Sequence, residues 1–296
     1  MCDYEILRQK RLRNIENYNA CLNIQGIPVA KKAQPLCYDM GNAGDLLKHG
    51  ILAEYTQWWC RINSKPICFL DPFGGRPWTE TPKTQVTSRV KALADFAFFL
   101  AQPEPEARYY GSGHIVKHIA KATGQDAQVL VSDRDSDALE DLCDSGLVKL
   151  FYPGFDPKDG FSILDTNIES NLLLLDPFED FIISKDIEHK FQQIKRFSER
   201  MAVIVFILNK EPQNRIGKQY ADLKQRYLSQ AWTLCCPKLR DQGVRGESEY
   251  IVEVLLLVPA SLRLLPPVRE LRNTLTRYAK RLTEILGASI HFFEGM

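Results

Sequence analysis

A run of four leucines followed by an acid and a proline constrains the fold of this chain most. The segment Leu172–Leu175 is apolar throughout, which is typical of a strand buried on both faces of a parallel sheet. Asp176 and Pro177 follow it directly. Because ligands bind beyond the carboxyl ends of strands in open α/β sheets, we expect Asp176 to lie in a functional crevice.

Further apolar segments, most of them alternating with helical patterns, predict a doubly wound α/β sheet of seven strands. The strands are expected at 67–71, 128–132, 148–152, 172–175, 202–208, 232–236 and 250–258. No helical pattern separates the last two, so we expect them to pair antiparallel at one edge. Helices are expected at 41–59, 86–101, 114–123, 136–143, 185–200 and 213–231.

The predicted domain organisation is an N-terminal extension, 1–37, followed by one domain, 38–296, with a small helical insertion at about 78–127. The helix expected at 41–59 has two candidate N-cap residues, Asn42 and Asp45. No apolar run approaches the ~20 residues of a membrane-spanning helix, and the N-terminus does not resemble a signal peptide. Eight cysteines without a Cys-x-x-Cys pair favour a reducing compartment. We therefore expect a soluble, cytoplasmic protein without a membrane partner.

Charge is balanced overall but not along the chain. Lys plus Arg number 38 and Asp plus Glu 37, so net charge favours no partner. Residues 126–188 contain 16 acids and 4 bases, whereas residues 209–246 contain 8 bases and 3 acids. Two solvated faces would explain this distribution. A basic C-terminal lobe that contacts phosphates, beside an acidic small-molecule site, would explain it too.

Residues after three other predicted strands are typical of nucleotide binding. Asp71 ends the first strand and is followed by Gly74 and Gly75, which would let the backbone approach a ligand. Asp133 follows the second strand, where an acid commonly binds ribose hydroxyls. Asp159-Gly160 follows the third and could contact a base edge. Taken singly, each has a structural explanation: a tight turn, a helix cap and an Asp-Gly turn.

His114 and His118 have the i, i+4 spacing of two metal ligands on one helix face. No Glu follows His114, and no further ligand is tied to the pair by a known spacing. Helix packing therefore explains the pair better, and we predict no metal site.

Several separated motifs resemble one family, the RlmJ-like 23S ribosomal RNA adenine-N6 methyltransferases. The segment 38–49 contains Gly-Asn-Ala-Gly-Asp-Leu-Leu-Lys-His, which looks like the Gly-Asn-x-x-Asp-x-Leu-Lys-His signature of that family. Residues 69–75 resemble its cofactor loop, and residues 108–112 are similar to its Arg-Tyr-Tyr-Pro-Gly-Ser segment. Asp133, Asp159-Gly160-Phe161 and Asp176-Pro177 follow in the family's order. The resemblance covers residues from about 38 to 258.

The resemblance implies a class I methyltransferase fold, S-adenosylmethionine as cofactor and ribosomal RNA as substrate. It implies that His49 and Ser112 touch the cofactor, with Lys48 nearby, and that Asp133 binds the ribose hydroxyls. Asp159 and Gly160 would contact the adenine of the cofactor. The strand-end segment Asp71, Phe73, Gly74 and Gly75 would complete the cofactor site.

The resemblance also implies the catalytic residues. Asp176 would accept a hydrogen bond or proton from the target amine, helped by the carbonyl of Pro177. The family's Asp-Pro-Pro-Tyr signature reads Asp-Pro-Phe-Glu here, with Glu179 at the position of the aromatic residue that stacks on the base. Phe178 is the candidate to stack instead.

Further departures leave two alternative functions open. Phe73 stands where the family has a cofactor-contacting histidine, and Asp39 replaces another histidine. Glu179 and the near-neutral charge favour a methyltransferase for a small molecule or a protein. The altered loop Gly74-Gly75-Arg76-Pro77 favours a binding module of the same fold without activity.

Overall fold

The computed structural model describes residues 40–80, 83–177, 181–209, 215–239 and 250–295. The predicted N-terminal extension, 1–37, lies outside these ranges. So do the candidate stacking residue Phe178 and two parts of the basic segment 209–246, namely 210–214 and 240–246. Among the described residues, no helix is long and apolar enough to cross a membrane.

A central sheet of eight strands carries the fold, in the order β10-β8-β9-β7-β6-β1-β4-β5. The predicted α/β class is confirmed, with one strand more than the seven expected. The strands are β1 (Ile67–Asp71), β4 (Ala127–Val131), β5 (Val148–Lys149), β6 (Leu172–Leu175), β7 (Ala202–Asn209), β8 (Trp232–Leu239), β9 (Tyr250–Leu257) and β10 (His291–Phe293).

The strand directions follow the predicted pattern. β1 lies in the middle and pairs parallel with β4 on one side and with β6 on the other. β5 pairs parallel with β4, and β7 with β6. β9 runs antiparallel between β7 and β8, so the predicted antiparallel pairing of the last two long strands is confirmed. β10 adds a short antiparallel edge strand beside β8.

Helices cover both faces of the sheet. They are α1 (Ala43–Ile62), α2 (Thr84–Lys91), α3 (Ala97–Leu100), α4 (Ser112–Ala122), α5 (Ser136–Asp144), α6 (Ile187–Ser198), α7 (Arg215–Tyr227), α8 (Ala260–Arg263) and α9 (Val268–Leu286). α6 and α7 enclose a core on one face through buried residues such as Phe191, Ile194 and Leu223. α1, α4 and α9 pack together, and α1 and α4 contact β1. Because the strand-end crevice lies between such layers, both faces contribute to it.

The segment predicted as a helical insertion has a mixed structure. It contains α2, α3 and a two-stranded antiparallel sheet of β2 (Trp78–Glu80) and β3 (Arg108–Tyr110). The single helix expected at 86–101 is interrupted, and α3 begins anew at Ala97. The Ala97 N–H donates to the buried carboxylate of Glu54 at 2.7 Å, which satisfies an amide at the start of α3.

α9 packs on α1 through one tyrosine. The Tyr278 hydroxyl donates to the carbonyl of Leu46 at 2.8 Å. A Cβ atom at Gly50 would lie 2.1 Å from the Tyr278 ring, so this close packing requires a glycine there. The C-terminal helix therefore supports the N-terminal half of α1.

Candidate active site at the carboxyl ends of the strands

Acidic residues lie at the carboxyl ends of three neighbouring parallel strands. Asp71 ends β1, Asp133 follows β4 and Asp176 follows β6. β1 is the central strand of the three, and the chain crosses to its two neighbours in opposite directions. This is the topological switch point at which open α/β sheets bind ligands, and Asp176 lies at it.

The first turns of α1 bring a basic residue to this edge. The side chain of Asn42 caps the helix by accepting the N–H of Asp45 at 3.0 Å, as one of the two predicted caps. Asp45 in turn accepts the N–H of Gly41 at 2.9 Å. The chain is thereby held so that Lys48 and His49, one turn further on, are buried.

Lys48 forms an ion cluster with two carboxylates. Its ammonium donates to Oδ2 of Asp176 and lies 3.2 Å from Oδ1 of Asp45. The side chains of Lys48 and Asp176 are only 7% and 5% exposed. Burial would raise the pKa of the Asp45 carboxyl, but the charge of Lys48 and the Gly41 N–H together lower it. Lys48, predicted to lie near the cofactor, thus contacts the candidate catalytic residue.

Asp71 and Ser112, both predicted to line the cofactor site, contact each other. The Ser112 hydroxyl donates to Oδ2 of Asp71, and the Phe73 N–H donates to Oδ1 at 2.9 Å. Burial raises the pKa of the Asp71 carboxyl to about 7, with a further contribution from negative Asp176. Asp71 is therefore protonated in part at neutral pH, which limits the negative charge beside Asp176.

His49 is buried against the insertion. Its Nδ1 hydrogen-bonds the hydroxyl of Tyr109 at 2.9 Å. Burial, and then the positive charge of Lys48, lower the pKa of the imidazole to about 3. His49 is therefore neutral near pH 7 and can position a neighbouring group by hydrogen bonding without adding charge.

The glycine turn after β1 is joined to the end of β4. The Gly74 N–H donates to the carbonyl of Ser132 at 2.7 Å, and the Gly75 N–H to Oδ2 of Asp133 at 2.9 Å. Gly75 has a positive φ of 60°, and nothing lies within 4 Å of where its Cβ would be. The turn thus needs a glycine and borders open space. Asp133 also accepts the N–H of Asp135 through Oδ1 at 2.9 Å.

The third predicted strand-end site is covered by an aromatic ring. The side chain of Asp159 accepts the N–H of Phe161 and caps a short 3-10 helix, 160–165. A Cβ at Gly160 would lie 2.5 Å from the ring of Phe73. Phe73 also meets Phe161 edge-on, with ring centroids 5.3 Å apart. Phe73 therefore reaches from the glycine turn to the Asp159-Gly160 turn.

Two members of the site were not assigned a role from the sequence. Asp45 was named only as a candidate helix cap, and Tyr109 only as part of a motif. The spacing of Asp45 and Lys48 at i, i+3 on one helix could have indicated their ion pair. Nothing local indicates the contact of Tyr109 with His49, because it depends on how the insertion folds back.

The histidine pair lies apart from this edge. The rings of His114 and His118 have centroids 5.6 Å apart and pack beside Tyr110. Nδ1 of His118 hydrogen-bonds the carbonyl of Ala101 at 2.9 Å. Within the described ranges, no three His, Cys, Asp or Glu side chains are grouped to hold a metal ion.

Comparisons with known proteins support the fold and add no activity. No model of a known protein family matches the sequence, and no curated protein sequence matches it. A crystal structure of a Legionella pneumophila protein aligns with a TM-score of 0.60 at 14% identity, over 86% of this chain and 98% of its own. At that identity the likeness shows a shared fold alone.

Two more distant structures were also matched. A candidate class I S-adenosylmethionine-dependent methyltransferase from Listeria monocytogenes aligns with a TM-score of 0.37 at 12% identity, over 71% of this chain and 59% of its own. A candidate rRNA methylase from Clostridium thermocellum aligns with a TM-score of 0.33 at 14% identity, over 70% and 97%. Such scores do not establish a common fold. The fold is assigned from the strand order and the antiparallel β9, which are those of a Rossmann-like fold of the class I methyltransferase type.

Proposed function

We propose that this protein is an S-adenosylmethionine-dependent methyltransferase that modifies an exocyclic amine in RNA, with N6 of adenine in ribosomal RNA as the first candidate. The observation that supports it most is the buried contact between Lys48 and Asp176 at the switch point of the sheet. This contact fixes the carboxylate of the Asp-Pro sequence at the strand ends, where the ligand crevice is expected. The resemblance to the RlmJ-like family supplies the reaction and the substrate.

The residues around the glycine turn fit the ribose part of the cofactor. Asp133 uses each carboxylate oxygen for one backbone N–H, and a carboxylate has about four acceptor sites in all. It can therefore still accept two hydroxyl groups. The open space beside Gly75 leaves room for a ligand at the turn. His49, Ser112, Asp159 and Gly160 are the further residues proposed to hold the cofactor.

The cofactor supplies a methyl group on a positively charged sulfur, so the protein mainly has to position the amine and accept its proton. Asp176 would accept a hydrogen bond from the amine and turn its lone pair toward the methyl group. The ion pair with Lys48 fixes the orientation of the Asp176 carboxylate, and Asp45 shares the charge of Lys48. The carbonyl of Pro177 and the ring of Phe178 stay predicted contacts of the target base.

Methyl transfer from labelled cofactor to unmodified ribosomal RNA tests the proposal. We expect transfer by the wild type and a loss of at least about a hundredfold in Asp176→Asn, which keeps the shape but loses the charge. The matched control is Lys91→Ala, which removes an exposed ion pair between α2 and Glu106 of the insertion. Transfer at the wild-type rate by Asp176→Asn would contradict the proposed role of this carboxylate.

Cofactor binding is tested separately by calorimetry on the wild type and Asp133→Ala. We expect wild-type binding and at least tenfold weaker binding by the variant, because the ribose hydroxyls lose their acceptor. Absence of wild-type binding at millimolar cofactor would remove the methyltransferase proposal.

A second candidate function is a binding module of the same fold without activity. The packing of Phe73 on Gly160 favours it, because the ring lies at the turn proposed to contact the adenine. The variant Phe73→Ala distinguishes the two functions. Cofactor binding that appears only in this variant would favour the module, whereas binding that is weakened by it would favour a ring that stacks on the adenine.

A further inference from the structure

A polar groove of about 600 Å3 lies between α1 and α9, and one end is formed by the insertion. None of its lining residues belongs to the candidate active site. Arg61 from α1 and Arg269, Glu270 and Arg277 from α9 contribute charges, and Glu54 contributes a carboxyl group. Nothing in the proposed reaction uses this groove.

Two of the lining carboxyl groups are already satisfied. Glu54 is buried, and its Oε1 accepts the Ala97 N–H at 2.7 Å. Burial also raises the pKa of the Glu54 carboxyl to about 7, which reduces its negative charge at neutral pH. Oε1 of Glu270 lies 3.1 Å from a guanidinium nitrogen of Arg61. These groups therefore repel an incoming anion less than their number suggests.

Two guanidinium groups stay available. Arg269 and Arg277 are exposed, and within the described ranges neither forms a hydrogen bond or an ion pair, although the charge of Arg277 acts to lower the pKa of the Glu54 carboxyl. They lie eight positions apart on α9, about 12 Å along the helix axis, with Asn273 between them at i+4. α9 as a whole contains five basic and two acidic residues. The groove thus has a row of hydrogen-bond donors on its α9 side.

We propose that the groove between α1 and α9 binds the phosphodiester backbone of an RNA strand through Arg269 and Arg277. Guanidinium groups bind phosphate oxygens through two parallel hydrogen bonds, and a row of them one to two turns apart fits a ligand with repeated anionic groups. The choice of RNA rests on the proposed function. Asp95, the acidic lining residue contributed by the insertion, would repel phosphate groups, so we expect the RNA backbone to lie on the α9 side of the groove.

The salt dependence of RNA binding tests this proposal. A fluorescein-labelled single-stranded RNA of roughly 20 nucleotides is titrated by anisotropy, without cofactor, between about 50 and 200 mM salt. Loss of two phosphate contacts should lower the slope of log K against log salt by ~1.4 in Arg269→Ala/Arg277→Ala. The variant should also bind more weakly at the lowest salt concentration.

The matched control is Lys91→Ala/Arg272→Ala, which also removes two positive charges. Lys91 and Arg272 are both exposed but paired, with Glu106 and Glu294 respectively. We expect this control to keep the wild-type slope. Equal slopes in the wild type and the groove variant, or equal losses in both variants, would overturn the groove as the binding site. Wild-type binding of a polyglutamate peptide but not of RNA would overturn RNA as its ligand.

This outcome is independent of methyl transfer. If the groove variant shows the lower salt slope while the wild type transfers no methyl group to RNA, the proposed reaction fails and the proposed RNA-binding groove is retained. If transfer is observed but the groove variant binds RNA like the wild type, the groove proposal fails alone.

Discussion

One helix, α1, contributes to two charged regions that differ in solvent exposure. Near its beginning, Lys48 is buried between Asp45 and Asp176. Near its end, Arg61 pairs with Glu270, and both side chains are more than half exposed. Water screens the second pair but not the first. The comparison shows that the same type of ion pair fixes a buried carboxylate in one place and forms a solvent-screened surface contact in the other.

The largest effect is expected from Lys48→Met. This change leaves two carboxylates buried without their cation, and breaking a buried pair typically costs 3–5 kcal/mol, so we expect a loss of about 4 kcal/mol in the free energy of unfolding. Urea unfolding at neutral pH measures it. In Asp45→Asn/Lys48→Met/Asp176→Asn no charge is left unpaired, and much of the stability should return. A loss below about 1 kcal/mol in the single variant would contradict a buried ion cluster.

An intermediate effect is expected from Asp71→Asn. Its folded pKa of about 7 lies above the ordinary value of 3.8, so the unfolded chain loses this proton first as the pH rises. As the pH rises from 3.8 to about 7, this group therefore lowers the free energy of unfolding of the wild type. Above that range its contribution no longer changes with pH. The difference in the free energy of unfolding between Asp71→Asn and the wild type should therefore be about 3 kcal/mol more favourable to the variant at pH ~8 than at pH ~5.

Urea unfolding at both pH values measures the effect of Asp71→Asn. The asparagine can still accept the Phe73 N–H and bond Ser112, so packing is retained. Asp222→Asn, on the exposed side of α7, is the control and should give the same change at both pH values. A gain by Asp71→Asn that does not depend on pH would exclude a buried, partly protonated carboxyl.

The smallest effect is expected from Arg61→Ala. Exposed ion pairs contribute about 0–1 kcal/mol, so the free energy of unfolding should fall by less than ~1 kcal/mol. The loss should disappear in about 1 M salt, because the charges are then screened. Glu270→Ala should behave in the same way. A loss comparable with that of Lys48→Met would mean that the two regions do not differ as their exposure indicates.

The sheet was largely predictable because its strands are continuous apolar runs. Leu172–Leu175 and Ala202–Asn209 are buried on both faces, and such runs fit few other structures. His291–Phe293 was not predicted, because three residues have no detectable period and the strand forms only by pairing with β8. The break before Ala97 was also missed, since it depends on the carboxylate of Glu54, which is distant in sequence.

The candidate site was predictable as a set of residues but not as a set of contacts. The strand ends identified Asp71, Asp133 and Asp176 because topology alone brings them to one edge. The bond between Lys48 and Asp176 joins residues 128 positions apart, and no local pattern indicates it. The contact of Phe73 with Gly160 depends likewise on the conformation of two loops.

The packing of Tyr278 on Gly50 has a consequence for shortened versions of the protein. Its hydroxyl bonds the carbonyl of Leu46, two residues before Lys48, although α9 contributes no strand-end residue. Expression variants cut before Val268 would retain every residue assigned to the reaction and still lose the support of the helix that carries Lys48. We therefore expect α9 to be needed for holding Lys48 in place.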